Sequence, residues 1–243
     1  MVRFWLAVGL TFVLAGMVKG VTGMGLPTVS MGVLGLLMAP TEAASLLAIP
    51  SLITNVWQFA AGPNRLLLFR RTWPMLLAIA GATWAGAGLL SASSGATTAL
   101  GVALIVYAIV GLARFRIVVP PRAEPWLSPL VGATTGVVTG ATGVFVIPAV
   151  PYLQALGLDK DDLTQALGLS FTISTIALAI GLASHGAFHV AAGSVSLLCT
   201  IPALAGMQLG QWVRNRVDPV RFRLLFFIGL LLLGADLAAR SLT

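Results

Sequence analysis

Lys19 is the residue with the clearest chemical reach in this sequence. It stands in GMVKGVTGMG, Gly16 to Gly25, between the apolar stretches FWLAVGLTFVLA and LPTVSMGVLGLLMA. A lysine brings a full positive charge and three N–H donors. Gly23 and Gly25 let the backbone turn and free its amides to point inward. Thr22 adds a hydroxyl, and Lys19 has no acidic neighbour in sequence. Lysine, backbone amides and hydroxyls together suit a bound anion, and a helix starting at the tip would add its positive dipole end. The competing reading leaves Lys19 at a membrane interface or snorkelling to one.

A second constellation is Ser51, Thr54, Asn55 and Gln58, spaced i, i+3, i+4, i+7, which places them on one face of a helix. Such a stripe on a membrane helix must face protein or a watered path. It reads either as part of a substrate route or as interhelical hydrogen bonding. Pro50 in the same run is expected to kink or break the helix.

Both features recur about 120 residues later. Gly16, Val18, Gly20, Thr22 and Gly23 align with Gly136, Val138, Gly140, Thr142 and Gly143 as G-x-V-x-G-x-T-G. A proline follows each copy, Pro27 and Pro148; Ile53–Asn55 meets Ile173–Thr175, and Gly86 meets Gly206. The second tip, with Thr139 where the first has Lys19, contributes Thr139, Thr142 and Gly143 to the candidate site. The second stripe contributes Ser174 and Thr175, with Ser170 and Thr172 nearby.

Other residues point to simpler roles. His185 and His189 read as loop residues, and Gln208 and Gln211 as interhelical or interface groups. Asp236 and Arg240 form an i, i+4 pair. Trp57, Trp73, Trp84, Trp126 and Trp212 include interface anchors. Cys199 is the single cysteine and reads as packed core. No H-E-x-x-H, G-x-S-x-G or Walker A pattern occurs, so no enzyme, catalytic residue, metal site or cofactor is expected.

The elements that must position these groups are membrane helices. Of 243 residues 58% are apolar and 9% charged, with mean hydropathy +1.00. Soluble domains carry about a quarter charged residues, so this chain faces lipid over most of its area. The net charge of +7 sits in short loops as a topology signal, not as a nucleic-acid site. Five apolar runs fill each half: Phe4–Val18, Met24–Ala39, Glu42–Gly62, Trp73–Leu90 and Thr97–Ala113, then Trp126–Val138, Val144–Gly157, Leu163–Ser184, Val190–Gln211 and Phe222–Ala239. The fold class is therefore an all-α polytopic membrane protein of two inverted repeats, residues 1–120 and 121–243, joined in one transmembrane domain. The first two runs of each repeat read as short, broken or re-entrant, since fifteen helical residues reach only about 22 Å against a core of about 30 Å. Paired short runs mark the substrate site of repeat transporters. The first run has the look of a signal peptide, but its counterpart Pro125–Val138 is internal, so it is expected to be structural.

An odd number of crossings per repeat inverts the second copy. Arg65, Arg70, Arg71, Arg114, Arg116, Arg122, Lys160, Arg214, Arg216, Arg221 and Arg223 then share one face. The positive-inside rule makes that face cytoplasmic and both termini external.

At the tips GMVKGVTGMGLP and GVVTGATGVFVIP the sequence resembles the sulfite exporter TauE/SafE family, the TSUP permeases. That family has two related halves, each opening with a glycine-rich segment followed by a proline and a short apolar run. The resemblance implies transport of small anions, especially sulfur oxyanions and organosulfonates, mostly as export. The chain departs from the pattern where Met24, Val144 and Phe145 interrupt the usual glycines, which reshapes the pocket. The expected function is a secondary transporter in the bacterial inner membrane, working by alternating access around a midplane site between the tips. Its expected partners are a small anion and the bilayer, with self-association left open. The alternatives are a channel or carrier for a carboxylate or metal cation, or a non-transporting scaffold whose facing stripes pack together without a cavity.

Overall fold

The computed structural model describes residues 2–92, 95–113, 118–188, 190–214 and 216–240. His189, Arg114 and Arg116 lie outside these. Among the described residues the chain is helical throughout: α1 Val2–Thr22, α2 Leu26–Leu34, α3 Pro40–Ala61, α4 Arg65–Ala92, α5 Ala96–Ala113, α6 Glu124–Thr142, α7 Ala149–Ala155, α8 Lys160–Ser184, α9 Val190–Val213 and α10 Pro219–Ala239. The ten apolar runs correspond one to one with these helices. Seven of them, α1, α3, α4, α5, α8, α9 and α10, are long and apolar enough to cross a membrane.

One expectation changes. The first run of each half is not short: α1 has 21 residues and α6 has 19, so α1 reaches about 31 Å. The apolar count missed this because glycines, threonines and Lys19 continue the helix beyond the oily stretch. Only the second member of each pair is short, with nine residues in α2 and seven in α7.

Local sequence sets the helix starts. Pro27, Pro40, Pro125 and Pro219 occupy the first turns of α2, α3, α6 and α10, where no N–H is needed. Asp159 caps α8 by accepting from the amides of Asp161 and Asp162, and Asp218 accepts from Val220 at the start of α10. Pro50 lies inside α3 without ending it. Its missing N–H leaves the Leu46 carbonyl without its helical donor. Ser196 of α9 fills the gap, donating to Leu46 O at 2.8 Å and accepting from Ile49 N at 3.1 Å.

The helices pair across the two halves. In α1 and α9, Val13 meets Gly206 and Met17 meets Gly210, so the two run parallel. In α4 and α6, Met75 meets Gly132 and Gly86 meets Gly140, again parallel. In contrast, α5 and α10 are antiparallel, with Gly101 against Ala238 and Gly111 against Phe227. Helices α3 and α8 are antiparallel too: Ser51 meets Thr175, and Gln58 meets Thr164.

The small residues explain the close approach. A Cβ on Gly16 would collide with the Ala203 carbonyl, and one on Gly136 would stand 2.6 Å from Ala82 Cβ. Helix axes this near each other exploit small residues one turn apart, which is the logic of G-x-x-x-G packing in lipid. Thus Gly16, Gly20, Gly136 and Gly140, at matching places in the recurring motif, serve packing rather than exposing backbone amides.

One end of the bundle collects the arginines. Asn64, between α3 and α4, donates to Asp162 of α8 at 2.8 Å. Arg71 of α4 forms a two-pronged pair with Glu124 of α6, at 2.7 and 2.9 Å. Arg214, Arg223 and Lys160 border one cavity at this end. At the opposite end, His185 lies against Gly88, and Arg240 pairs with Asp236 at 2.8 Å.

Candidate functional site

Lys19 is buried, with 3% of its surface exposed, inside the last turn of α1. Its side chain is enclosed by protein and does not reach the surface. Its ammonium donates to Asn55 Oδ1 of α3. Asn55 Nδ2 donates to Ser51 Oγ at 3.0 Å, and Ser51 Oγ lies 3.1 Å from Thr175 Oγ1 of α8. Thr175 in turn donates to the Phe171 carbonyl at 2.7 Å. Since the Thr175 proton goes to Phe171, Ser51 is the donor to Thr175. The donors therefore run in one direction from Lys19 to Phe171, an arrangement in which each bond polarises the next. Four of the sequence-derived residues, from two halves of the chain, join in one buried network.

Among the described residues no carboxylate is ion-paired with Lys19. A lysine has three N–H donors, and Asn55 takes one. A buried cation without a counter-charge costs several kcal/mol even after relaxation. Lys19 thus offers N–H donors that no described residue takes up and, when protonated, a charge that no described carboxylate balances.

The threonine-glycine tips have a structural explanation. Gly23, φ +79°, and Gly143, φ +71°, end α1 and α6 in the left-handed conformation. Their amides bond back to Lys19 O and Thr139 O, both at 2.7 Å. Thr22 donates to Val18 O at 2.9 Å and accepts from Met24 N at 3.2 Å. Thr142 repeats the device with Val138 O, 2.7 Å, and Val144 N, 3.2 Å. Thr139, at the position of Lys19, donates to Thr135 O at 2.7 Å. The recurring motif is therefore a helix C-cap, and these hydroxyl protons are engaged within their own helices or, for Thr22, with Met24 O at 2.7 Å in the turn that follows. Gly25, φ +103°, precedes α2, so one tip does lead into a helix N-terminus. The other does not, because α7 begins only at Ala149.

The tips are not brought together. Gly23 faces Thr164, whereas Phe145 of the second tip packs on Phe171, ring centroids 6.2 Å apart. Those α8 partners are seven residues apart, about 10 Å along the helix.

The remaining stripe residues divide. Thr54 bonds within α3, to Pro50 O at 2.7 Å. Gln58 donates to Thr164 O at 2.6 Å, closing α3 against α8. Gln165, which the sequence did not single out, strengthens that seam through Phe59 O at 2.8 Å. Ser174 is buried and its hydroxyl has no hydrogen-bond partner among the described residues, as is the case for Ser170 one turn earlier. Gln208 and Gln211 are exposed on the bundle surface. The stripes thus touch directly, and the void beside Thr175 measures about 10 Å³, at the lower limit for one water.

The large cavity lies elsewhere. It has a volume of about 900 Å³, at the arginine-rich end, and reaches Thr22 and Met24 of the first tip. Arg214, Arg223, Lys160 and Tyr107 also line it. The sequence presented the basic residues as loop charges, and only the folding of α5, α7 and α10 around one space reveals them as a lining.

A family model described as Sulfite exporter TauE/SafE matches residues 8–237, nearly the whole chain. No curated protein and no solved structure matches significantly.

Proposed function

The chain belongs to the sulfite exporter TauE/SafE family, a family of membrane transporters, and from that premise we propose that it exports a small anion, sulfite or an organosulfonate, by alternating access. The observation that carries the reading is Lys19: a buried cation with spare donors and no paired carboxylate. The anion binds beside Lys19, in the last turn of α1, where that helix meets α3. Asn55, Ser51 and Thr175 carry the connection from the first repeat to the second, and Ser174, with its unpartnered hydroxyl, is the nearest reserve donor in sequence. Thr22, Thr139 and Thr142 hold the tips, and Gly23, Gly25 and Gly143 let the backbone turn there.

Helix directions support two inverted repeats, residues 1–120 and 121–243. Corresponding helices α3 and α8, and α5 and α10, run antiparallel. An axis along the membrane normal would leave them parallel. The arginine-rich end is cytoplasmic by the positive-inside rule, in the inner membrane of a bacterium, with both termini outside. In this frame the α3–α8 seam is closed and the cavity opens to the cytoplasm, as one state of a rocking cycle.

The direct Ser51–Thr175 bond also favours a second reading, a non-transporting scaffold with a sealed centre. Flux in liposomes separates the two. Sulfite and a small sulfonate should cross with the native protein, and Lys19→Ala should lower the rate at least tenfold. Unchanged flux in Lys19→Ala would remove the lysine from the site, and no flux with any anion would favour the scaffold.

A further inference from the structure

The cavity of about 900 Å³ has a chemistry of its own. Three cations reach it from three places in the fold: Lys160 at the start of α8, Arg214 just beyond α9, and Arg223 in the first turns of α10. Among the described residues no aspartate or glutamate lines it. Arg223 is held in place, donating to Gly111 O at 2.6 Å with its guanidinium 5.8 Å from the Phe227 ring centre. The walls between the cations are apolar, with Phe222, Phe226 and Phe227 forming one side. Tyr107, also in the lining, is only 2% exposed, and among the described residues its hydroxyl meets just the Met24 sulfur at 3.4 Å. A thioether is a weak acceptor, so this buried hydroxyl is free to turn toward a better one.

Size decides what kind of anion the arrangement fits. An inorganic oxyanion fills roughly two or three water volumes of about 30 Å³ each, at most about a tenth of the space. It would also gain nothing from an aromatic wall, which rewards apolar area removed from water and a cation over a ring face. Ligand pockets of about 300–1,000 Å³ take organic molecules of drug-like size.

We propose that this cavity is a second anion site, separate from the Lys19 network, which takes an organic anion carrying an apolar body of one or two rings. The anionic head lies among Arg214, Arg223 and Lys160, and the body lies on Phe226 and Phe227 with Tyr107 at the inner end. The inference rests on the transport reading in one respect: Thr22, about one turn of α1 beyond Lys19, lines the cavity, so the cavity serves as the antechamber from which the anion reaches Lys19.

The test is a calorimetric titration of the protein in phosphatidylcholine nanodiscs, corrected with empty discs, using naphthalene-2-sulfonate and, separately, sulfite. The ring-bearing probe should bind at least tenfold more tightly than sulfite. Arg214→Gln, whose side chain holds no hydrogen bond or ion pair among the described residues, should weaken it about tenfold, as should Arg223→Gln. Arg223→Lys should recover part of the loss, which a folding defect would not allow. Phe226→Ala should weaken the ring probe and leave sulfite unchanged, while Lys19→Ala should leave the ring probe within twofold. Equal affinity for the ring probe in the native protein, Arg214→Gln and Phe226→Ala overturns the proposal. Displacement of the probe by phosphatidylglycerol added to the discs also overturns it, because the occupant is then a lipid headgroup. Absence of flux with probe binding intact removes the transport reading and leaves this site. Normal flux with binding indifferent to the arginines removes this site alone.

Discussion

Lys19 gains its meaning from what surrounds it. One ammonium, one amide and two hydroxyls form an ordered donor series across two halves of the chain. The lysine and the stripe were separately legible, because a charge in an oily run and polar residues at helical spacing both stand out. That they meet was not legible, since 36 residues separate Lys19 from Asn55. The threonine-glycine pairs were legible as a motif but not as a cap: the motif fits an anion cradle equally well until the φ angles and the Thr22 and Thr142 bonds are seen. This assignment predicts a graded response. Gly23→Ala meets only the Thr164 side chain at 3.5 Å, so it should cost about 1–2 kcal/mol for a left-handed non-glycine residue. Gly143→Ala adds a contact at 2.7 Å with Met31 Cε and should destabilise more. Thermal unfolding of the two variants in one detergent ranks them.

Among the elements, the ten apolar runs translated into ten helices because lipid leaves the backbone no alternative to internal hydrogen bonding. Lengths were less legible. Glycine and threonine lower hydropathy without ending a helix when a partner helix lies against them, so α1 and α6 extend past their oily stretches. Pro50 is a related instance: Ser196, 146 positions away in sequence, repairs the helix it interrupts. The packing role of the glycines gives a sharp contrast. Gly16→Leu should force α1 off α9, at a cost of about 1–3 kcal/mol or more, with broadened or aggregated elution in detergent. Gly9 lies on the same helix with nothing within 4 Å of an added Cβ, and Gly9→Leu should elute and melt like the native protein.

For the whole molecule, the cross-half pairing makes two predictions. In a Cys199→Ala background, a single cysteine at Arg214→Cys and one at His185→Cys should react with a membrane-impermeant maleimide from opposite sides, Arg214→Cys from the cytoplasmic side. Labelling of both from one side would contradict the inverted arrangement. In the same background, Ser51→Cys with Thr175→Cys should cross-link on oxidation, since the native oxygens stand 3.1 Å apart. Flux should stop when the bond forms and return with reductant. Transport at the native rate through the cross-linked protein would mean that α3 and α8 never part.

By itself the sequence determined the membrane setting, the apolar runs that become helices and the recurrence of one glycine-threonine motif. Composition, period and spacing are local properties, and lipid converts them almost directly into helices. Tertiary structure alone decided which helices lie together, that Lys19 reaches across to Thr175, and that scattered loop arginines enclose one cavity. Those outcomes depend on side chains distant in sequence packing at atomic range, where a glycine admits a neighbouring helix and a larger residue excludes it.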